Sequence, residues 1–170
     1  MADRFDLPAW ICYGATPGGG AFDRWHVSSV ALSERSFPAL RDAASVGYDR
    51  AIAFHGRRFA ESDPEPFVGV GGRATRSKRA VVNALREAYA ERGVETPVCA
   101  YERGQCRYDG STPGNVVNRV TVSGDGGVQL EQPRSVRESH AELTARVAVE
   151  AILGRHGGPD ARIEPPDGRC

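Results

Sequence analysis

The stretch from residue 67 to residue 101 restricts the fold of this chain most strongly. Residues 67–70 (FVGV) are apolar and precede a glycine loop, which predicts a short buried strand. Apolar side chains then recur at helical spacing, at Val81, Leu85, Ala88 and Tyr89. Gly93 predicts the end of that helix, and residues 97–101 predict a second strand. A strand, a helix and a strand in this order form a crossover unit, which favours parallel pairing and an α/β fold.

The other segments predict further strands and two more helices. Strands are expected at residues 10–13, 26–32, 50–54 and 161–163. A short helix is expected between an N-cap at Ser36 and a glycine stop at Gly47. A longer helix follows a capping box of Ser139 and Glu142, and its apolar stripe comprises Ala145, Ala148, Val149, Ile152 and Leu153.

The last third of the chain is expected to contain a β-hairpin. Residues 116–122 and 128–130 are rich in β-branched side chains, and the sequence GDGG between them is a strong turn signal. The segments YGATPGGGAFDRWHVS and YDGSTPGNVVNRVTVS are alike, which reflects either two pseudo-symmetric halves or a chance recurrence of turn and strand. We expect one α/β domain over residues 1–170, with a single mixed sheet of about five to seven strands and about three helices.

Charge and cysteine content exclude some classes of function. Lys plus Arg equals Asp plus Glu at 22 each, whereas strong non-specific binding to nucleic acid needs excess positive charge. A basic run leaves local binding open, with a solvated helical turn as the alternative; it comprises Arg73, Arg76, Lys78 and Arg79. No apolar stretch approaches the ~20 residues of a membrane helix, and the first residues do not form a secretory signal. The cysteines show no CxxC spacing, so we expect a cytoplasmic protein with reduced thiols.

Residues 108–114 (YDGSTPG) open a region that continues with two β segments and a helix that starts SHAEL. An Asp-Gly-Ser on a strand, a β meander and a helix that starts with a carboxylate and Leu resemble the ribonuclease H-like family. The resemblance implies that Asp109, Glu142 and Asp167 bind magnesium or manganese, and that the metal activates water for phosphodiester cleavage. The alternatives are an Asp-Gly turn at Asp109 and the capping role of Glu142.

The sequence HAE at residues 140–142 also resembles the His-Ala-Glu of zinc-dependent nucleoside and base deaminases. In that family the histidine binds zinc and the glutamate transfers protons. The resemblance implies zinc as the alternative metal and His140 as one ligand. Cys170 would be the next ligand, and Cys99 or Cys106 would complete the site only in a rearranged fold.

Three further features suggest binding or catalysis. Gly71, Gly72 and Arg73 precede the helix predicted after residue 73, and a glycine loop at a helix N-terminus binds anions such as a cofactor phosphate. His26 and His55 lie at strand ends and titrate near neutral pH, so each is a candidate acid or base. Cys12 is a candidate nucleophile beside either histidine, with a buried structural cysteine as the alternative.

These features lead us to expect a metal-dependent hydrolase that acts on a nucleotide or nucleic acid. Asp109, Glu142 and His140 are its candidate catalytic residues. The alternatives are a non-catalytic binding module and a transferase that holds an anionic cofactor at residues 69–73.

Overall fold

The computed structural model describes residues 2–11, 17–18, 20–57, 66–100 and 110–155. In these ranges the chain forms one four-stranded sheet and seven helices, which confirms the α/β class with fewer strands and more helices than expected. The strands are β1 (Ala51–Gly56), β2 (Val68–Gly71), β3 (Val98–Ala100) and β4 (Gly127–Gln132). The helices are α1 (Ala2–Phe5), α2 (Ala21–Trp25), α3 (Pro38–Val46), α4 (Thr75–Arg92), α5 (Val116–Arg119), α6 (Arg134–Ser139) and α7 (Ala141–Ile152). The single domain over residues 1–170 stays a prediction.

The described sheet is mixed, with strand order β1-β4-β2-β3. β1 pairs parallel with β4, and β2 pairs parallel with β3, while β2 and β4 are antiparallel. The parallel pairing of β2 with β3 on either side of α4 confirms the predicted crossover unit. The strand expected at residues 50–54 is also confirmed, as β1.

Helices α4 and α7 pack on one face of the sheet and form the main core with it. Its buried apolar residues include Val68, Val70, Val81, Leu85, Val128, Leu130, Val147 and Ile152. Full burial of one such side chain contributes about 1.5–3 kcal/mol, so this cluster dominates the stability of the fold. The hydroxyl oxygens of Tyr89 and Thr144 lie 2.6 Å apart and join the two helices by a hydrogen bond. Among the described helices, none combines the length and the apolar character of a bilayer-spanning segment.

The prediction that residues 116–122 form the first strand of a hairpin is wrong. Residues 116–119 form α5 on the other face of the sheet, whereas residues 128–130 do lie in β4. The reason is a helix cap that strand propensity ignores. The side-chain oxygen of Asn115 accepts the Val117 N–H at 3.1 Å, which satisfies an amide of the first helical turn.

The glycines of the expected hairpin turn have a packing role instead. A Cβ added to Gly126 would lie 2.3 Å from the Asp49 carbonyl oxygen, and one added to Gly127 would lie 2.6 Å from the Val117 carbonyl oxygen. Only glycine permits such close approach of two backbone segments. The last two glycines of GDGG therefore allow α5 and the segment before β1 to pack closely against the start of β4.

Two further strand predictions have different outcomes. Residues 26–32 form turns rather than a strand, and the Ser28 carbonyl accepts the N–H groups of Ala31 and Leu32. The strand expected at residues 161–163, and part of the one at 10–13, fall outside the described residues. Short helices, not strands, follow the two similar TPG segments, and the existence of two pseudo-symmetric halves stays a prediction.

Candidate active site

The carboxyl ends of β1 and β4 bring an imidazole and a carboxyl group together. The two strands are parallel and in register, with the Cα of His55 opposite the Cα of Glu131. Paired residues of a parallel sheet project from the same face, so both side chains lie on the face that carries α5. Ligands of α/β proteins commonly bind at the carboxyl ends of parallel strands. This pair is therefore the centre of a candidate active site.

Glu131 is partly buried, and its surroundings tune its acidity. Burial raises the pKa of its carboxyl from 4.5 to about 7, while the Gln129 side chain and the positive charge of Arg57 oppose that rise. Gln129 Nε2 donates to Glu131 Oε1 at 2.8 Å. A carboxyl with a pKa near 7 populates both protonation states at neutral pH, as a general base requires.

His55 faces the loop that follows α2. Ser29 Oγ lies 3.4 Å from His55 Nε2, which is at the long end of the hydrogen-bond range. Burial lowers the pKa of His55, and the charge of nearby His26 lowers it further. The imidazole of His55 is therefore neutral at neutral pH, so one ring nitrogen keeps a lone pair for a proton or a metal ion.

Arg119 of α5 holds this loop in place. Its guanidinium donates to Glu34 Oε1 at 2.8 and 3.1 Å and to two backbone carbonyl oxygens at 2.6 Å each. A backbone hydrogen bond and the Arg119 side chain keep the pKa of Glu34 below its ordinary value. The Val116 N–H donates to the Ser29 carbonyl oxygen at 3.0 Å. Helix α5 therefore positions Ser29 against the end of β1.

Two guanidinium groups flank the same end of β1. Arg57 directly follows the strand and is buried, and its guanidinium carbon lies 5.3 Å from the centre of the Phe67 ring. The side chain of Arg137 reaches over Gly56, because a Cβ added to this glycine would lie 2.7 Å from Arg137 Nε. Gly56 follows His55 in β1 and faces the other side of the sheet, so Arg137 lies at the strand end on the side opposite His55, whereas the charge of Arg57 acts on Glu131 itself. The candidate site thus combines a carboxyl group, an imidazole and the positive charge of Arg57, which suits an anionic ligand.

Residues 19–150 match the family model for poly-gamma-glutamate hydrolase. The chain belongs to the poly-gamma-glutamate hydrolase family. This membership shows that the inferred resemblances to the ribonuclease H-like family and to the zinc deaminases are wrong. The predicted nucleotide or nucleic-acid substrate is wrong too, because the polymer that names the family is a peptide. The expectation of a hydrolase agrees with the family.

Two solved structures share the fold of this hydrolase-family chain. The bacteriophage poly-gamma-glutamate hydrolase is 26% identical with a TM-score of 0.58, and the match covers 84% of this chain and 65% of that one. The zinc-free apo form of YNDL is 18% identical with a TM-score of 0.53, and the match covers 76% of this chain and 63% of that one. The chain therefore spans slightly less than two thirds of either protein. Curated protein sequences include no significant match.

Of the three predicted magnesium or manganese ligands, Glu142 alone lies in the part of the chain that the structure describes. Asp109 and Asp167 lie outside the described residues. The side chain of Glu142 is 84% exposed, and its carboxylate lies 4.0 Å from the Arg4 guanidinium. The capping box predicted at this helix is wrong, because the N-cap of α7 is His140 rather than Ser139, and it makes no side-chain cap hydrogen bond. The assignment of these residues to a metal site stays a prediction.

The glycine loop predicted to bind an anionic cofactor lies at the opposite end of the sheet from the candidate active site. Gly72 has a φ of 109°, and an added Cβ would lie 2.2 Å from the Gly127 carbonyl oxygen. Arg73 Nη1 donates to the Ser111 carbonyl oxygen at 3.4 Å. Gly72 therefore has a packing role against the start of β4. Cofactor binding by Gly71, Gly72 and Arg73 stays a prediction.

The cysteines differ from expectation at one position. Cys99 is disulfide-bonded, so the expectation of a reduced thiol is wrong there. The other three cysteines, which include the candidate nucleophile Cys12, lie outside the described residues. Zinc binds cysteine as a thiolate, so a disulfide-bonded Cys99 does not complete a zinc site with His140.

Sequence reasoning named His26 and His55 as acid–base candidates and missed Glu131. The available signal lies in β4, whose sequence GVQLEQ alternates apolar and polar side chains. Such alternation places the polar residues on one face of a strand. An ionisable side chain on that face, in a strand flanked by β1 and β2, is the feature that would have identified Glu131.

Proposed function

We propose that this protein hydrolyses the γ-amide bonds of poly-γ-glutamate with Glu131 as the general base. One geometric observation supports the proposal beside family membership: Glu131, with a pKa of about 7, stands in register with His55 at the carboxyl ends of two parallel strands. Amide hydrolysis needs a group that takes a proton from water and returns it to the leaving nitrogen. A carboxyl that titrates near neutral pH performs both transfers.

The proposed reaction is a proton cycle on Glu131. As a carboxylate it takes a proton from water while the water oxygen bonds to the γ-carbonyl carbon. The tetrahedral intermediate then loses the amine of the next unit, which takes the proton from Glu131 as the C–N bond breaks. The products are a γ-carboxyl group and a free amine, and Glu131 is again a carboxylate.

The positive charge at the end of β1 fits the chemistry of this polymer. Each unit of poly-γ-glutamate keeps one α-carboxylate, so the substrate is strongly anionic. The exposed guanidinium of Arg137 offers the paired N–H donors that match a carboxylate. Because the net charge of the chain is zero, attraction to the polymer depends on this local charge.

Zinc is the metal that the comparisons favour, since one structural neighbour is described as zinc-free, and magnesium and manganese have no such support. The imidazoles of His26 and His55 fit in kind, because neutral imidazole binds zinc and the pKa of His55 is lowered. A catalytic zinc takes three protein ligands, and among the described residues no three His, Cys, Asp or Glu side chains are grouped so that they could hold a metal ion. At least one zinc ligand would therefore come from outside them. When bound, zinc would supply Lewis acidity that polarises the carbonyl group under attack.

Release of amino groups from purified poly-γ-glutamate tests the proposal. Glu131→Gln keeps the size and hydrogen-bonding capacity of the side chain and is expected to lower kcat by about 10²- to 10⁴-fold. Unchanged circular dichroism would show that the fold is retained. Glu142→Gln separates this proposal from the metal site predicted around Glu142, because an exposed glutamate outside the site should be dispensable. Loss of activity in Glu142→Gln with full activity in Glu131→Gln would reverse the assignment.

A further inference from the structure

Two buried amide side chains connect the start of α5 to Glu131. Asn115 and Gln129 are each 4% exposed. Asn115 Nδ2 donates to Gln129 Oε1 at 2.8 Å, and Gln129 Nε2 donates to Glu131 Oε1 at 2.8 Å. Buried amides that are bonded at both ends keep one orientation, because any flip leaves polar atoms unsatisfied.

The direction of these hydrogen bonds is set by a backbone group. The Val117 N–H is only a donor, and it bonds to Asn115 Oδ1 at 3.1 Å. Asn115 therefore turns Nδ2 toward Gln129, which must accept with Oε1 and offer Nε2 to Glu131. We propose that Asn115 and Gln129 form a directional amide relay, in which Gln129 is a positioning residue that holds the Glu131 carboxylate as a hydrogen-bond acceptor. The catalytic value of the relay rests on the proposed function, whereas its direction does not.

The segment before α5 closes the space around Gln129. A Cβ added to Gly110 would lie 3.1 Å from Gln129 Cβ and 3.4 Å from its Oε1. Asn118 Nδ2 donates to the carbonyl oxygens of Gly110 and Thr112 at 2.8 and 3.0 Å, which holds this segment against Gln129. The Gln129 side chain is therefore confined beside Glu131, and the remaining freedom is the orientation of its amide.

Replacing Asn115 with aspartate, a side chain of nearly the same shape, should reverse the direction of the hydrogen bonds in the relay. Aspartate caps a helix as well as asparagine, so the bond to Val117 and the fold are expected to persist. Its second oxygen only accepts, so Gln129 turns Nε2 toward position 115 and presents Oε1 to Glu131. Two acceptors then face each other, and we expect kcat to fall about 10- to 100-fold with KM unchanged, as for the loss of one hydrogen bond to a charged group.

Two further variants separate the relay from added charge and from general damage. Gln129→Met adds no charge and removes the amide, so it is expected to lower kcat by a similar factor with KM unchanged. Gln132→Met changes another buried amide of β4, which projects from the opposite face, and is expected to keep the kcat of the wild type. Thermal unfolding checks that each variant folds.

NMR of the metal-free protein tests the relay without any activity. The wild type is expected to show a Gln129 side-chain N–H proton that is shifted downfield and protected from exchange, and Asn115→Asp should abolish that shift. An unshifted, rapidly exchanging Gln129 amide in the wild type would overturn the relay. An Asn115→Asp variant with wild-type kcat and the wild-type amide signal would overturn it too. A wild type that cleaves no polymer refutes the proposed function instead and leaves the NMR result to decide the relay.

Discussion

Replacing Glu131 with glutamine should stabilise the protein at alkaline pH while it removes activity. Burial raises the pKa of Glu131 from 4.5 to about 7. Between these values the folded protein holds a proton that the unfolded chain has lost. The stability linked to this group is therefore fully present below pH 4.5 and is lost as the pH rises through 7.

The size of the effect follows from the two pKa values of Glu131. A rise from 4.5 to about 7 corresponds to about 3 kcal/mol, at about 1.36 kcal/mol per pH unit. The unfolded carboxyl is already largely ionised at about pH 5, so about 2 kcal/mol of the loss falls between about pH 5 and about pH 8. Glutamine does not ionise, so the variant escapes this loss.

Urea unfolding of the wild type and Glu131→Gln at these two pH values measures the effect. Subtracting the free energy of unfolding of one protein from that of the other removes the contributions of the other titrating groups. We expect the variant to gain about 2 kcal/mol relative to the wild type on going from about pH 5 to about pH 8. Glu142→Gln, which changes an exposed side chain, should show no such gain. An equal difference between wild type and Glu131→Gln at both pH values would refute the claim that burial perturbs this carboxyl.

Four other measurements test the structure and the proposed chemistry. The kcat/KM for poly-γ-glutamate should rise through pH 7 as Glu131 loses its proton, and a flat profile would contradict its role as base. In urea unfolding, Gly72→Ala should lower the free energy of unfolding by about 2–4 kcal/mol, because its Cβ would lie 2.2 Å from a carbonyl oxygen of β4. Gly93→Ala should lower it by about 1 kcal/mol, because no atom lies within 4 Å of the added Cβ. Arg137→Ala should raise KM about tenfold, while Arg134→Ala on the same helix should leave KM unchanged, in steady-state kinetics. Elemental analysis of the purified protein should find zinc, and equal activity after chelation would argue against a metal.

The crossover unit β2–α4–β3 was predictable because its signals are local. The apolar side chains of α4 recur on one face, and that face is the one buried in the core. Gly93 adopts a φ of 64°, which residues with a Cβ rarely adopt, so the glycine itself predicts the end of the helix. Local pattern and tertiary packing agree here, and nothing competes with them.

The expected hairpin failed because a local helix cap and one long-range hydrogen bond together decide the conformation of residues 116–119. Their valines favour a strand, yet the cap at Asn115 and the bond from the Val116 N–H to the Ser29 carbonyl stabilise a helix. The glycines that suggested a turn are instead needed for packing, because a side chain at Gly127 would collide with α5. Sequence pattern marks such glycines but does not show which backbone approaches them.

The candidate site depends on strand register, which no motif contains. His55 and Glu131 are far apart in sequence, and a slip of one residue between β1 and β4 would place them on opposite faces. Motif reasoning favoured Asp109 and Glu142 because the sequences around them resemble family motifs. A physical criterion points elsewhere: a carboxyl in a buried strand pays a desolvation penalty, and an exposed glutamate such as Glu142 does not. That penalty is the main cause of the raised pKa of Glu131, so the feature that weakens the fold is the one that suits this residue to proton transfer at neutral pH.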